Sequence, residues 1–521
     1  MQTTHNETFK LTNQQKEEKI EAEKERIKQG GAEKYRARVK EQGKLLVRER
    51  LALLLDPGSF REEGLLAEAL KPDLAADAMV TGIGKINGRK VAFLAADPTV
   101  KAGSWGPKSV EKMIRIQELA MKLKIPMIYM LDSAGGRITD QIRIFPGRRH
   151  SGRIFYNQVK MSGMIPQICI NFGPSPAGSA YIPAFSDLVI MVDKKASAYL
   201  GSTRMVEMVI GEKTTMEEMG GAKMHCSISG LGDVLAKDDA DAIEIIKQYL
   251  SYMPQSYKQT PELIETISPK EGRSIKEIIP TDMNRPYDMY ELIDRVVDEG
   301  SFFEVKKLFA QELIVGFSRI GGRAVGIVAN QPKVKGGTLF VDTADKGARF
   351  VTLCNAFNIP LLFLADVPGY MVGTSVERKG IIRHGAKFIT AVSEATVPKL
   401  TVIVRKCYGA GLYAMCGPAY DTEKVIALPS ASIAIMGPEA AINAVYFNKI
   451  QALPEEERPE YIQKLRDEYS EDINIYALGS ELIIDEVIPY NSLREEVIVH
   501  FDYYESKDIT FGEKKCPVHP V

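Results

Sequence analysis

The chain has 521 residues, too many for one hydrophobic core and enough for several domains of roughly 100–200 residues each. Its 67 basic and 68 acidic residues nearly cancel, so no global field recruits nucleic acid or an anionic membrane. Six cysteines (Cys169, Cys226, Cys354, Cys407, Cys416 and Cys516) are scattered without a C-x-x-C pair, which argues against a zinc ribbon or a disulfide frame and for reduced core thiols.

From the N-terminus, the polar start and the charged run Gln14 to Arg26 lack the apolar stretch of a signal peptide and are too acidic for a transit peptide, so a cytoplasmic location is expected. No apolar run approaches the roughly eighteen residues that a membrane span needs. Residues 12–56 read as helical, broken at Gly30-Gly31, with Leu45, Leu46, Val47, Leu51 and Leu54 forming an apolar stripe over Ala32 to Leu55. Asp56-Pro57-Gly58 then makes a turn.

Beyond that arm the sequence is written twice. Gly82 to Gly135 falls on Gly316 to Gly369 without a gap, a shift of 234 positions (316 minus 82). Pro98 falls on Pro332, Lys112 on Lys346, Arg115 on Arg349 and Asp132 on Asp366. Each copy has a strand (Val91 to Ala95; Val325 to Ala329), a Gly- and Pro-marked loop and a helix (Val110 to Leu123; Ala344 to Phe357). A buried strand follows (Pro126 to Leu131; Pro360 to Ala365), then a second helix, another strand (Pro166 to Asn171; Lys399 to Val404) and a Gly/Ala loop. This grammar predicts an α/β fold of repeated ββα units. The halves join near residues 255–285, and the charged stretch from Leu453 to Glu471 predicts an exposed helix inserted in the second half. The expected division is an arm over 1–56 and two domains over 57–270 and 271–521.

In α/β folds the site lies in loops at the carboxyl ends of strands. Four such loops stand out: Asp132 to Gly136, Pro174 to Ala180, Asp366 to Gly369, and Tyr408 to Leu412. All are rich in small residues and have no acid or base at their centres. Each reads either as a tight strand-to-helix turn or as a place where backbone N–H groups meet a ligand oxygen. Gly173-Pro174-Ser175-Pro176-Ala177 imitates a nucleophile elbow but lacks its last glycine, which argues against a serine hydrolase. The histidines (His5, His150, His225, His384, His500 and His519) show no metal-binding spacing, and neither a Walker A loop nor a G-x-G-x-x-G fingerprint occurs. No metal is expected. Arg143, Arg148, Arg149 and Arg153 either contact phosphates, as of coenzyme A, or form a solvated ion-pair network. Ala120-Met121-Lys122-Leu123 is similar to a biotin-attachment tetrapeptide but sits mid-helix, where it reads as packing.

At these loops the chain resembles the carboxyltransferase (β) subunits of biotin-dependent acyl-CoA carboxylases. The motifs include Arg48-Glu49-Arg50-Leu51, Asp132-Ser133-Ala134-Gly135-Gly136-Arg137, Asn330-Gln331-Pro332, Asp366-Val367-Pro368-Gly369, Arg383-His384-Gly385-Ala386-Lys387 and Tyr408-Gly409-Ala410-Gly411. The resemblance implies two tandem crotonase-like (ClpP/crotonase) domains that move a carboxyl group from carboxybiotin to an acyl-CoA thioester, with no protein side chain required as the base. Carried over, Ala177 and Gly178 would stabilise the enolate, and Gly409, Ala410 and Gly411 the ureido oxygen of biotin. Gly135, Gly136 and Gly369 would line the walls. Tyr413 stands where an acidic residue is associated with short-chain preference. The implied assembly is a hexamer with a biotin carboxylase and carrier (α) subunit, since nothing in this sequence attaches biotin. Some segments look propionyl-type; others, including Tyr413 and Met415-Cys416-Gly417, look methylcrotonyl-type. Other readings are a decarboxylase subunit of the glutaconyl-CoA type, a crotonase-type hydratase or isomerase, and a non-catalytic assembly subunit.

Overall fold

The computed structural model describes residues 11–508, 510, 512, 514 and 518–520, so His5 and Cys516 lie outside the described residues. The chain forms two units, residues 1–251 with 255–258 and residues 252–254 with 259–521.

The arm opens with α1 (Asn13–Lys28), started by a capping box in which the Thr12 hydroxyl accepts from Gln15 N and Gln15 accepts from Thr12 N. Gly30, at φ +74°, ends it, and Gly31 crosses so close to Thr99 that a Cβ would lie 1.9 Å from the Thr99 carbonyl oxygen. The single helix expected over Ala32 to Leu55 is instead two, α2 (Glu33–Glu41) and α3 (Val47–Leu54). The break has a cause in the chain: Gly43 turns at φ +66°, and Lys44 is drawn inward to the buried carboxylate of Asp132.

In the first unit, β1 (Arg61–Glu63), β2 (Met79–Ile86), β3 (Arg89–Ala96), β4 (Met127–Leu131), β5 (Gln167–Asn171), β7 (Leu188–Val192) and β9 (Val234–Ala236) lie side by side in that order. A separate ribbon pairs β6 (Pro174–Pro176) with β8 (Ser197–Tyr199). In the second unit the order is β10 (Phe303–Val305), β11 (Leu313–Ile320), β12 (Arg323–Asn330), β13 (Leu361–Val367), β14 (Lys399–Tyr408), β15 (Lys424–Ala427) and β17 (Glu486–Val487), with β16 (Ser432–Ala434) beside β14. Each sheet begins with two antiparallel pairings and continues parallel. The register repeats as well: Ala92 opposes Met127 and Gly326 opposes Leu361, both partners displaced by 234 positions (326 minus 92; 361 minus 127).

The central strands are buried along their whole length, which is why they read as unbroken apolar runs. Over the first sheet packs α4 (Pro107–Leu123), begun by a proline at its first turn and stopped by Lys124 in the left-handed region. Its Val110, Met113, Ile114 and Ala120 meet Ala92, Leu94, Met127 and Tyr129. The tetrapeptide Ala120 to Leu123 forms its last turn, with Ala120 in that core. In the second unit Met289, Leu292, Ile293 and Val296 cover Val325, Ile327, Leu362 and Leu364. The helix expected from Leu453 to Glu471 runs from Arg458 to Asp472 and meets the helix Pro438–Ala452 through Ile442, Ile450 and Leu465.

Candidate active site

The first unit's two small-residue loops meet. After β4, Ser133 N donates to Pro174 O, the Ser133 hydroxyl donates to Gly103 O, and Gly135 N donates back to that hydroxyl. Trp105 N donates to Gly135 O and Arg137 N to Trp105 O, which laces the loop to the segment before α4. Gly135 turns at φ +85°, and a Cβ there would stand 3.2 Å from the Pro176 ring. Pro176 leads into a short 3-10 turn, Ala177–Ala180. The leading N–H groups of such a turn have no acceptor within it, and here they belong to Ala177 and Gly178. Both residues are exposed, and Ala177 holds φ +51°, a left-handed conformation that disfavours any side chain. Ser175, the centre of the elbow-like motif, is fully buried and so unavailable as a nucleophile.

Asp132 is no base for this site. It is 3 % exposed and held by Lys44 at 3.1 Å and Arg50 at 3.2 Å, while Arg50 also reaches Asp239 at 2.8 Å. A Cβ on Gly173 would lie 1.9 Å from an Asp132 oxygen, so the carboxylate also fixes the root of the Pro174 to Ala180 loop.

The second unit repeats the plan with different residues. Asp366, fully buried, receives Arg405 Nε at 2.8 Å; burial raises its carboxyl pKa against the opposing charge of Arg405. Gly369 turns at φ +124° and accepts from Leu339 N. The helix Ala410–Ala414 follows β14, and a Cβ on Gly411 would lie 3.0 Å from Val367 and 3.1 Å from the Gly369 Cα. The leading N–H groups are those of Ala410 and Gly411. Gly409 does not offer its own, because it donates to Ala434 O at 2.9 Å; its part in the turn is the φ of +54°. Tyr413 is 45 % exposed, its ring 5.6 Å from that of Tyr420.

Within the first unit a cavity of about 1180 Å³ opens beside Ala177, Pro176, Ala134 and Ser133. Its far wall is the arm, which contributes Arg26, Arg36, Arg38 and Lys44, with Lys101 from the loop after β3. The arginines singled out from the sequence do not line it. Arg149 pairs with Glu111 and Glu118 and Arg143 with Asp140, as the ion-pair alternative has it, whereas Arg153 stacks on Tyr156. The available signal for the arm's place on this cavity was the Gly30-Gly31 break, since that crossing brings the arm onto Thr99.

The carboxyl transferase domain family matches residues 38–518. The chain belongs to that family. It is therefore a carboxyltransferase, an enzyme, built on two crotonase-fold units. It is 62% identical over 498 residues, 95% of this chain and 98% of the relative, to an uncharacterized carboxylase, YngE, of Bacillus subtilis (strain 168). It is 40% identical to the mitochondrial methylcrotonoyl-CoA carboxylase beta chain of Dictyostelium discoideum, over 91% of this chain and 82% of that one. Transcarboxylase 12S, solved as a hexamer with methylmalonyl-coenzyme A and methylmalonic acid bound, superposes with a TM-score of 0.93 at 37% identity, covering 98% of this chain and 99% of that one.

Proposed function

We propose that this carboxyltransferase is the β subunit of a biotin-dependent acyl-CoA carboxylase. It would move a carboxyl group from carboxybiotin to the α-carbon, or the vinylogous γ-carbon, of a short-chain acyl-CoA such as propionyl-CoA or 3-methylcrotonyl-CoA. The observation that carries the reading is the pair of acid-free turns with leading N–H groups, the first opening on a cavity with a basic wall.

When the α-proton leaves a thioester, negative charge gathers on the carbonyl oxygen. Donors fixed where that charge develops are worth about 2.7–4 kcal/mol each. Ala177 and Gly178 would supply them, with Ser133 and Ala134 beside Ala177 on the cavity wall and Gly135 and Gly136 shaping the loop behind it rather than lining the cavity. Arg38 makes no ion pair among the described residues and would meet the phosphates of coenzyme A at the cavity's outer wall, where Lys101 is already paired with Asp73 at 2.7 Å. In the second unit Ala410 and Gly411 would hold the ureido oxygen of biotin, which supplies the activated carboxyl group when bound. Gly409 would shape that turn, Gly369 would leave room beside it, and Tyr413 would border the acyl group. That turn carries no acid or base and Ala410 at its head is exposed, which fits a neutral ureido oxygen, while Gly411 is buried and a Cβ there would press on Val367 and Gly369.

The arm (1–56) and the domains over 57–270 and 271–521 would act in a cytoplasmic homo-oligomer, a hexamer, served by a separate biotin carboxylase and carrier subunit. The test is transfer of radiolabelled bicarbonate to acetyl-, propionyl-, butyryl- and 3-methylcrotonyl-CoA, with that partner subunit and ATP supplied. Acid-stable label in one thioester supports the reading and fixes the acyl group. No label with any partner, together with loss of carbon dioxide from glutaconyl- or malonyl-type thioesters, would make the chain a decarboxylase subunit instead.

A further inference from the structure

We infer that His225 is a positioning residue for carboxyl transfer, holding the strand on which the Ala177–Gly178 turn rests. The inference depends on the reading of that turn as the enolate's donor pair. The turn is rooted in β6, and β6 is poorly equipped to hold itself. Two of its three residues are prolines without an N–H, so Ser175 is its only backbone donor. It is held from two sides: Ser133 N donates to Pro174 O on one, and on the other β8 pairs with it residue by residue from Pro174–Ser197 to Pro176–Tyr199.

From the other side β8 is clamped by the segment carrying His225. Ala222 N donates to Ala196 O, Ser197 bridges Gly221, and Gly220 lies so close that a Cβ would stand 2.6 Å from the Ala198 oxygen. That same Ala198 oxygen, opposite Ser175, is 2.7 Å from His225 Nε2. The carbonyl can only accept, so Nε2 carries the proton, and Nδ1, 2.7 Å from the Ser229 hydroxyl, accepts from it. Residues 225–229 form a single π-helical turn that places Ser229 for this bond, an uncommon geometry that recurs near functional sites. Burial lowers the ring's pKa below its ordinary value, which favours the neutral form that this pair of bonds requires. Tyr199 and Leu200, which follow directly, line the large cavity.

The test compares His225→Leu, His225→Gln and Ser229→Ala in the assembled holoenzyme, with amide exchange over residues 173–180 measured on the same proteins. Glutamine can return an N–H to the Ala198 oxygen; leucine fills the space without one. For His225→Leu we expect exchange about tenfold faster and kcat about tenfold to a hundredfold lower, with KM for the thioester within about twofold. His225→Gln should recover kcat to within about threefold. Should His225→Leu fail to fold, Ser229→Ala carries the test, with faster exchange and about threefold lower kcat expected. Unchanged exchange and unchanged kcat would overturn the inference and leave the donor reading untouched. Faster exchange with undiminished kcat would overturn the donor reading, and this inference with it.

Discussion

At the scale of residues, the two turns differ in what a substitution can test. A Cβ at Gly178 meets only the Phe155 ring, at 3.8 Å, so Gly178→Val should leave the fold and oligomer intact while its branches cover the N–H and abolish turnover. A near-normal rate in a carboxylation assay would remove that turn from the mechanism. Gly411 has no such room, so Gly411→Ala should lower the melting temperature as well as the rate. Ala177 is a strained alanine on the cavity wall. Ala177→Gly should relieve about 1–2 kcal/mol of conformational strain and give back about 0.5–1 kcal/mol in unfolded-chain entropy. Stability should therefore change little, whereas the range of accepted thioesters should widen as the methyl group leaves the wall. An unchanged substrate ranking would count against that role. Tyr413→Asp should likewise reorder the acyl-CoA preferences if the exposed ring borders the acyl group, and an identical ranking would refute the assignment.

At the scale of elements, one lysine in each unit ties a long helix to the start of its sheet. Lys112 on α4 donates to the carbonyls of Ala76 and Met79; Lys346, 234 positions later (346 minus 112), donates to those of Lys306, Phe309 and Ala310 from the helix Val341–Ala356. Burial lowers the Lys112 pKa from 10.5 to about 8. The folded chain thus binds fewer protons than the unfolded chain between those values, so this group's contribution to stability rises with pH across that window. The desolvation cost is carried in full below it. Lys112→Met should flatten the rise in unfolding free energy from pH 8 to 10.5, measured by urea titration at several pH values.

The repeated strands and helices were legible because burial on both faces writes apolar runs directly into the chain. The break at Gly43 was not, since it answers to the bond between Lys44 and Asp132, 88 residues apart in sequence. The loops were legible as glycine clusters. That Gly409 spends its N–H on Ala434 was not, because β16 lies beyond any local pattern. The basic wall was missed for the same reason: Arg38 looks like one charge among many on the arm until the Gly31 crossing sets it over the cavity.

At the scale of the whole molecule, much apolar surface is left uncovered. The helix Thr203–Ile210 has no buried residue, and Met208, Val209 and Ile210 are 79%, 65% and 68% exposed. Isolated apolar residues are ordinary on a surface; three in succession beside exposed Leu200 ask for a cover, which a second copy would supply in the proposed oligomer. Met208→Glu with Ile210→Glu should shift the particle to smaller species in light scattering while leaving the circular dichroism spectrum unchanged. An unaltered mass would place the cover elsewhere. The duplicated strand order also has a consequence for how the protein is made. Two sheets of equal order and register offer each strand a wrong partner of nearly the right shape. Ribosomal synthesis at about 5–20 residues per second separates them in time, giving the N-terminal half a head start of tens of seconds. Dilution from denaturant abolishes that head start, so chains released all at once should recover far less native protein than chains folded as they emerge.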